Sequence, residues 1–378
     1  MADVLVLTNA RIVLPGEVIS GSVLVRDGVI ADISPGNVLA GEDLENDYLL
    51  PGLVELHTDH LENHYAPRPR VRWKAAAAVQ AHDAQIAASG ITTVFDALRV
   101  GTDEDAELGV GDMRLLADAI EAGVADNRLR ADHFLHLRCE VSAPDCQEGF
   151  LQFAEDKRVR LVSLMDHAPG QRQFVGLDGY RAYYMGRNKM SEADFRLFCA
   201  RRIKESETYS PAHRVALSAI CQEHGIPVAS HDDATVAHVA ESVTCGARIA
   251  EFPTTLEAAQ ASRDAGIAIL MGAPNVVRGG SHSGNVSAAS LAARGLLDVL
   301  SSDYIPFALI QAAFHLADTG ALDLPAAVQL VSLRPAEVIG LYDRGSITPG
   351  KRGDLVQVRP AGDVPLVRRV WRQGRRVI

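Results

Sequence analysis

The sequence predicts an α/β protein: a (β/α)8 barrel that carries a small β-sandwich domain built from both ends of the chain. Two observations support this fold. Between residues 51 and 340, eight short apolar runs alternate with amphipathic or alanine-rich segments long enough to form helices. The two ends instead contain short β-rich runs separated by glycine turns. An open doubly wound sheet is the alternative, although no glycine-rich phosphate loop follows the first apolar run.

The terminal segments, residues 1–50 and 341–378, predict the two halves of the β-domain. Near the start, the runs VLVLTNARIV and GSVLVRDGVIADI carry turn signals at Pro15-Gly16 and Asp27-Gly28. Near the end, VWRQGRRVI resembles VRDGVIADI in its pattern. We therefore expect paired hairpins that close on each other around the larger insert.

The eight candidate barrel strands follow in order through residues 51–340. They are GLVELH, GITTVFDAL, HFLHLRCEV, RLVSLMDH, IPVASHDD, ARIAEFP, IAILMGAPN and DVLSSDY. Nearly every one ends in a histidine or a carboxylate, and the active sites of such barrels lie at the carboxyl ends of the strands. The strand ends are therefore the predicted site.

Composition limits the class of partner. The chain of 378 residues has a net charge of -11, which argues against a nucleic-acid surface and against binding to anionic membranes. No apolar run approaches the roughly 20 residues that span a bilayer, and the start lacks a signal-peptide pattern. The five cysteines are scattered without CxxC spacing, which fits a cytoplasmic protein without a zinc-thiolate site. We expect a small-molecule substrate, with a homodimer possible.

Two strand ends supply the first candidate metal ligands. His57 and Asp59 are separated by one residue, so on an extended strand both side chains point to the same face and could chelate an ion. Glu140 shares a face with Arg138 and His136. An ion pair between Arg138 and Glu140 and a carboxylate that bridges two cations are both compatible with this pattern.

Three further strand ends complete the set. His167 and His231 each end an apolar run, and neutral imidazole is the commonest metal ligand in proteins. Asp303 ends the last run, where a carboxylate could hold a water molecule against a metal ion and take its proton. Singly, each histidine would more often be structural, but the repeated placement at strand ends favours a metal centre.

Basic and glycine-rich loops predict an anionic substrate. Arg278 precedes the loop GGSHSGN, whose backbone N–H groups could bind phosphate, although an ordinary flexible loop fits equally well. A second basic stretch after His167 contains Arg172 and Lys189. Cations at the catalytic rim of an acidic protein suggest that the substrate is negatively charged.

Several long motifs resemble the phosphonate-metabolism branch of the amidohydrolase superfamily. They are PGLVELHTDHLENHYAPRP, LVSLMDHAPGQRQF, ASHDDATVAHVAES, AEFPTTLEAA, LMGAPNVVRGGSHSGN and SSDYIP. The resemblance covers almost the whole chain. It implies a metal-dependent hydrolase that converts α-D-ribose 1-methylphosphonate 5-triphosphate to the 5-phosphate and diphosphate in phosphonate catabolism.

The resemblance also implies a role for each site residue. It implies one or two divalent ions, zinc first and iron or manganese as alternatives. The ligands would be His57, Asp59, Glu140, His167, His231 and Asp303, with Glu140 as the bridge and Asp303 as the base. Asp59 departs from the superfamily pattern, which has a histidine there. To the residues of the basic and glycine-rich loops we assign the phosphate contacts, with His282 able to donate a hydrogen bond or proton to the departing oxygen; these residues are Arg172, Lys189, Arg278, Gly280, Ser281 and Ser283.

Two other functions stay open on the sequence alone. The same metal centre could cleave a cyclic amide or deaminate a base, although a neutral substrate has no use for a cationic rim. A non-catalytic component of a phosphonate-processing assembly is the third possibility, and it predicts a degraded ligand set.

Overall fold

The computed structural model describes residues 3–38, 40–102, 108–172, 181, 190–280, 285–362 and 364–378. Four residues that the sequence assigned to the site lie outside this described part: Lys189, Ser281, His282 and Ser283. Within it, no helix is both long enough and apolar enough to cross a membrane.

Both ends of the chain contribute to one eight-stranded sheet. The N-terminal end supplies β1 (Val4–Val13), β2 (Val18–Arg26), β3 (Val29–Pro35), β4 (Glu42–Asp43) and β5 (Tyr48–Pro51). The C-terminal end supplies β14 (Leu355–Arg359), β15 (Leu366–Arg372) and β16 (Arg375–Arg376). Strands β5 and β14 pair antiparallel and so join the two ends, around a core that includes Leu7, Leu49 and Trp371. The predicted small β-domain is confirmed, with its strands in one sheet; the boundaries at residues 50 and 340 stay predictions.

A second sheet of eight parallel strands forms the barrel, in chain order. Its strands are β6 (Leu53–Thr58), β7 (Ile91–Val100), β8 (Asp132–Glu140), β9 (Val159–Met165), β10 (Val228–His231), β11 (Ala247–Glu251), β12 (Ala268–Gly272) and β13 (Val299–Ser301). A parallel bridge between Thr58 and Asp303 brings the first and last strands together. This arrangement confirms the barrel, because a doubly wound sheet reverses its strand order and stays open.

Helices follow the barrel strands and cover them. They are α1 (Leu61–Tyr65), α2 (Ala75–Ala88), α3 (Val110–Ala125), α4 (Cys146–Leu151), α5 (Glu192–Glu223), α6 (Val236–Thr244), α7 (Leu256–Asp264), α8 (Ala273–Val277), α9 (Ala288–Ala293), α10 (Ala308–Asp318), α11 (Leu324–Gln329) and α12 (Leu333–Val338). Thr235, Thr255 and Ser287 each accept a hydrogen bond from the backbone N–H three residues later, which fixes where α6, α7 and α9 begin.

A buried network of hydrogen bonds connects α2 to the barrel strands β7 and β8. The Asp96 carboxylate lies 2.7 Å from His82 Nε2 and 2.7 Å from His133 Nδ1, and His133 Nε2 lies 3.3 Å from Asp83. Arg130, which lies just before β8, donates to Asp83. Burial lowers the pKa of His133, but Asp96 and Asp83 more than offset this and raise it to about 9. His82 Nδ1 has no hydrogen-bond partner among the described residues, but every other contact in this network pairs one protein group with another, and the network lies apart from the cleft, so we interpret it as structural.

Candidate active site

A cleft of about 240 Å³ opens at the carboxyl ends of the barrel strands. This is the end at which barrel enzymes place their chemistry. Half of its lining residues are titratable: His57, Arg138, His167, His231, Asp232, Arg278, Asp303 and Tyr304. Phe252 forms part of the wall, with its ring edge-on to both His57 and His231.

Two buried carboxylates hold the Nδ1 atoms of the three cleft histidines. Glu251 Oε1 lies 3.0 Å from His57 Nδ1, and Glu251 Oε2 lies 3.0 Å from His231 Nδ1. Glu140 Oε2 lies 2.6 Å from His167 Nδ1. A carboxylate only accepts hydrogen bonds, so each Nδ1 carries a proton, and in the neutral imidazole each Nε2 then keeps its lone pair. That tautomer is the one in which Nε2 can bind a metal ion.

Glu140 lies behind His167 and is fully buried. Ser142 Oγ donates to its Oε1 over 2.5 Å, and the guanidinium groups of Arg99 and Arg202 each approach to 3.6 Å. Burial alone raises the pKa of Glu140, but His167 and the two arginines lower it overall, well below its ordinary value. These contacts favour a supporting role for Glu140, and its predicted bridging of two ions stays untested.

The structure places Asp59 outside the residues that line the cleft. Strand β6 ends at Thr58, so the alternation that would put Asp59 beside His57 does not continue to it. The Asp59 carboxylate instead accepts from Arg138 Nη1 over 3.0 Å. Arg138 does line the cleft, and its pairing with Asp59 replaces the ion pair with Glu140 that the sequence suggested.

Two aspartates approach the cleft from positions of left-handed backbone. Asp303 has φ +56° and Asp232 has φ +58°. Asp232 Oδ2 lies 3.6 Å from His231 Nε2 and 3.8 Å from His167 Nε2. The sequence places Asp232 at the polar strand end IPVASHDD beside His231, but the predicted ligand set did not include it. Burial and repulsion from Asp59 together raise the pKa of Asp303 to about 7.

The predicted phosphate contacts are divided between two places. Arg278, which directly follows α8, and Gly280 both line the cleft. Arg172 does not: it is buried and paired with Asp233 and Glu241. Because two carboxylates already offset its charge and its side chain is buried, the Arg172 guanidinium is poorly placed to bind a phosphate of the substrate. The roles of Lys189, Ser281, His282 and Ser283 stay predictions, because these residues are not described.

The cleft residues fit a divalent metal ion. His57 Nε2 is buried and has no hydrogen-bond partner among the described residues, which is costly for a polar atom unless a ligand binds it. His167, His231 and Asp232 bring their ligand atoms within 4.8 Å of one another. Imidazole nitrogen with carboxylate oxygen is a donor set that suits zinc, iron and manganese.

A barrel with imidazoles and carboxylates at its mouth, joined to a β-domain from both chain ends, is the architecture of an amidohydrolase-type hydrolase. Residues 198–378 match the amidohydrolase family. A curated protein of Escherichia coli (strain K12), α-D-ribose 1-methylphosphonate 5-triphosphate diphosphatase, is 46% identical over 377 residues, which cover 99% of this chain and 100% of that protein. The chain therefore belongs to the family of that diphosphatase within the amidohydrolases.

Solved structures agree with this fold. Molinate hydrolase superposes with a TM-score of 0.68 at 15% identity, covering 100% of this chain and 95% of that one. The 5-methylcytosine deaminase of Klebsiella pneumoniae superposes with a TM-score of 0.66 at 14% identity, covering 99% and 98%. At such low identity the likeness supports the fold alone.

Proposed function

We propose that the protein hydrolyses α-D-ribose 1-methylphosphonate 5-triphosphate to the 5-phosphate and diphosphate. The observation that carries this proposal is the 46% identity, across the whole chain, to a diphosphatase named for that substrate. The cleft supports it independently, because Arg278 and Arg138 line the same space as the histidines, and Arg138 has a single carboxylate partner among the described residues, Asp59, in contrast to the doubly paired Arg172. Guanidinium groups suit a substrate with several phosphate charges.

His167, His231 and Asp232 would hold a divalent ion, with His57 Nε2 adjacent and able to join it or to bind a second ion. Zinc is the first candidate, and iron and manganese suit the same donors. When bound, such an ion polarises a phosphoryl oxygen and acidifies water.

Asp303 would act as the base. It lies just beyond the end of β13 and lines the same cleft as His231, which ends β10. A pKa of about 7 suits a group that must accept a proton near neutral pH, since a substantial fraction of it is ionised there and the carboxylate is more basic than an ordinary one. Its carboxylate would orient the attacking water toward the phosphorus and take that proton.

Arg278 and the backbone at Gly280 would bind the outer phosphates, because both lie at the rim of the cleft. Arg138 is less exposed than Arg278 and would face the phosphoryl group under attack. We keep His282 as the proposed donor to the departing oxygen.

A direct comparison of substrates tests the proposal. The protein, loaded with zinc, iron or manganese, is given either the ribose triphosphate or a dihydropyrimidine, and release of diphosphate and of acid is measured. We expect diphosphate from the first and no turnover of the second. Ring opening of the dihydropyrimidine without triphosphate cleavage would favour the cyclic-amide alternative. If neither substrate were hydrolysed with any of the three metals, the non-catalytic alternative would be favoured.

We also propose a cytoplasmic location and leave a homodimer as a prediction. The five cysteines are all free and four of them are buried, as expected in a reducing compartment.

A further inference from the structure

Glu251 is the end of β11, and its side chain is entirely buried beneath the cleft. Its two oxygens contact three side chains that come from three other strands. These partners are His57 on β6, His231 on β10 and Ser163 on β9, whose hydroxyl donates over 2.6 Å. Strand β6 is not a neighbour of β11 in the sheet, so the carboxylate joins histidines from separate parts of the barrel wall.

We propose that Glu251 is a positioning residue that fixes His57 and His231 together in the tautomer whose Nε2 lone pairs face the cleft. This inference rests on the proposed function, since it takes those nitrogens to be ligands of a divalent ion. A metal-binding histidine usually donates its second ring N–H to an acceptor of its own, whereas here one carboxylate is the acceptor for two imidazoles. Metal affinity should therefore depend on Glu251 more strongly than on any single partner of one histidine.

The chemistry of the side chain makes the inference specific. A carboxylate offers acceptors on both oxygens, so both Nδ1 atoms can keep their protons at once. In Glu251→Gln, one of the two oxygens becomes an NH2 group, which donates. One imidazole must then turn an unprotonated Nδ1 toward the amide and carry its proton on Nε2. That nitrogen faces the cleft and can no longer bind a cation.

Other groups around Glu251 support the fixed geometry. His136 Nε2 lies 2.5 Å from Ser163 Oγ, and His136 Nδ1 lies 2.9 Å from the backbone carbonyl oxygen of Leu56. His57 and His231 lie with their ring planes 23° apart at 5.7 Å between centroids. Ser163 thus limits the movement of Glu251, and Glu251 in turn limits the rotation of both rings.

The test measures metal binding and not turnover. Wild type and Glu251→Gln are stripped of metal, and the dissociation constant for Zn²⁺ is measured by competition with a chromophoric chelator. We expect affinity to fall roughly 10- to 100-fold. The visible spectrum of the Co²⁺-loaded protein should also change as one nitrogen ligand is lost. Glu257→Gln, the same substitution at an exposed position of α7, should leave both unchanged.

If the Gln variant does not fold, the same two measurements can be made on Glu251→Asp. The shorter side chain keeps its charge but cannot reach both rings, so Zn²⁺ affinity should again fall. Wild-type affinity together with an unchanged Co²⁺ spectrum, in whichever variant folds, would overturn the role of Glu251. If the wild-type protein itself bound no divalent ion, the proposed function would fail before the role of Glu251 came into question.

Discussion

The backbone N–H of Asp303 donates to the backbone carbonyl oxygen of His57 over 3.0 Å. This bond joins the last barrel strand to the first at the level of the cleft. The backbone N–H of Asp59 in turn donates to the backbone carbonyl oxygen of Asp303 over 3.3 Å. Backbone hydrogen bonds therefore fix the proposed base, Asp303, directly beside a proposed ligand, His57, although the two residues are 246 positions apart in the sequence.

Asp303→Asn should abolish most activity and leave the fold intact. The amide keeps the shape of the side chain and the two backbone bonds, but it cannot accept a proton from water. We expect kcat to fall roughly 10²- to 10⁴-fold, measured as diphosphate release, with an unchanged circular dichroism spectrum. Near wild-type kcat in this variant would remove Asp303 from the role of base.

Arg278→Ala should weaken substrate binding. The side chain is exposed at the rim of the cleft, so its loss removes a charged contact without leaving a hole in the core. We expect kcat/KM to fall by roughly one to two orders of magnitude, mainly through KM. Arg294→Ala, at another exposed position, is the matched control. A change within about twofold at Arg278 would exclude a phosphate contact there.

Removal of metal should stop catalysis and spare the barrel. The main apolar clusters contain none of the cleft histidines, so the hydrophobic contribution to stability does not depend on an ion. We expect activity to disappear after chelation and to return when a divalent metal is added, with elemental analysis confirming each state. Full activity in protein that elemental analysis finds free of metal would contradict the proposed chemistry.

His133 should stabilise the protein at neutral pH and lose this effect in alkali. Its pKa rises from 6.5 to about 9 on folding, so the contribution is complete below pH 6.5 and is lost as the pH rises through 9. The shift corresponds to roughly 3 kcal/mol. His133→Gln should lower the free energy of unfolding, with a difference from wild type that shrinks toward pH 9, measured by urea denaturation. His315→Gln, at an exposed site, should show no such trend.

Gly52→Ala should destabilise the junction between the terminal sheet and the barrel. A Cβ at this position would lie 2.2 Å from Thr92 Oγ1 and 3.0 Å from Asp354 Cβ, in a fully packed region. Overpacking of this kind costs about 1–3 kcal/mol, which thermal or urea unfolding would detect. Gly16→Ala, where nothing lies within 4 Å, should have little effect, and equal stability of the two variants would contradict the packing argument.

The sequence by itself determined the barrel and the positions of its strand ends. Eight apolar runs with helix-length connections between them admit few other folds, and the parallel strands of a barrel bring their carboxyl ends together. His57, His167, His231 and Asp303 were predicted at those ends, and the structure gathers all four around one cleft.

Only the tertiary structure decided which side chains face that cleft and which support them. Period-two alternation applies within a strand and stops where the strand stops, so it could not show that Asp59, beyond the end of β6, lies outside the cleft lining, or that Asp232 lies beside two cleft histidines. The burial of Arg172 and the two-ring contact of Glu251 depend on partners from other elements of the fold. A local pattern carries no information about such partners, because hydrogen bonds between distant strands exist only once the barrel has closed.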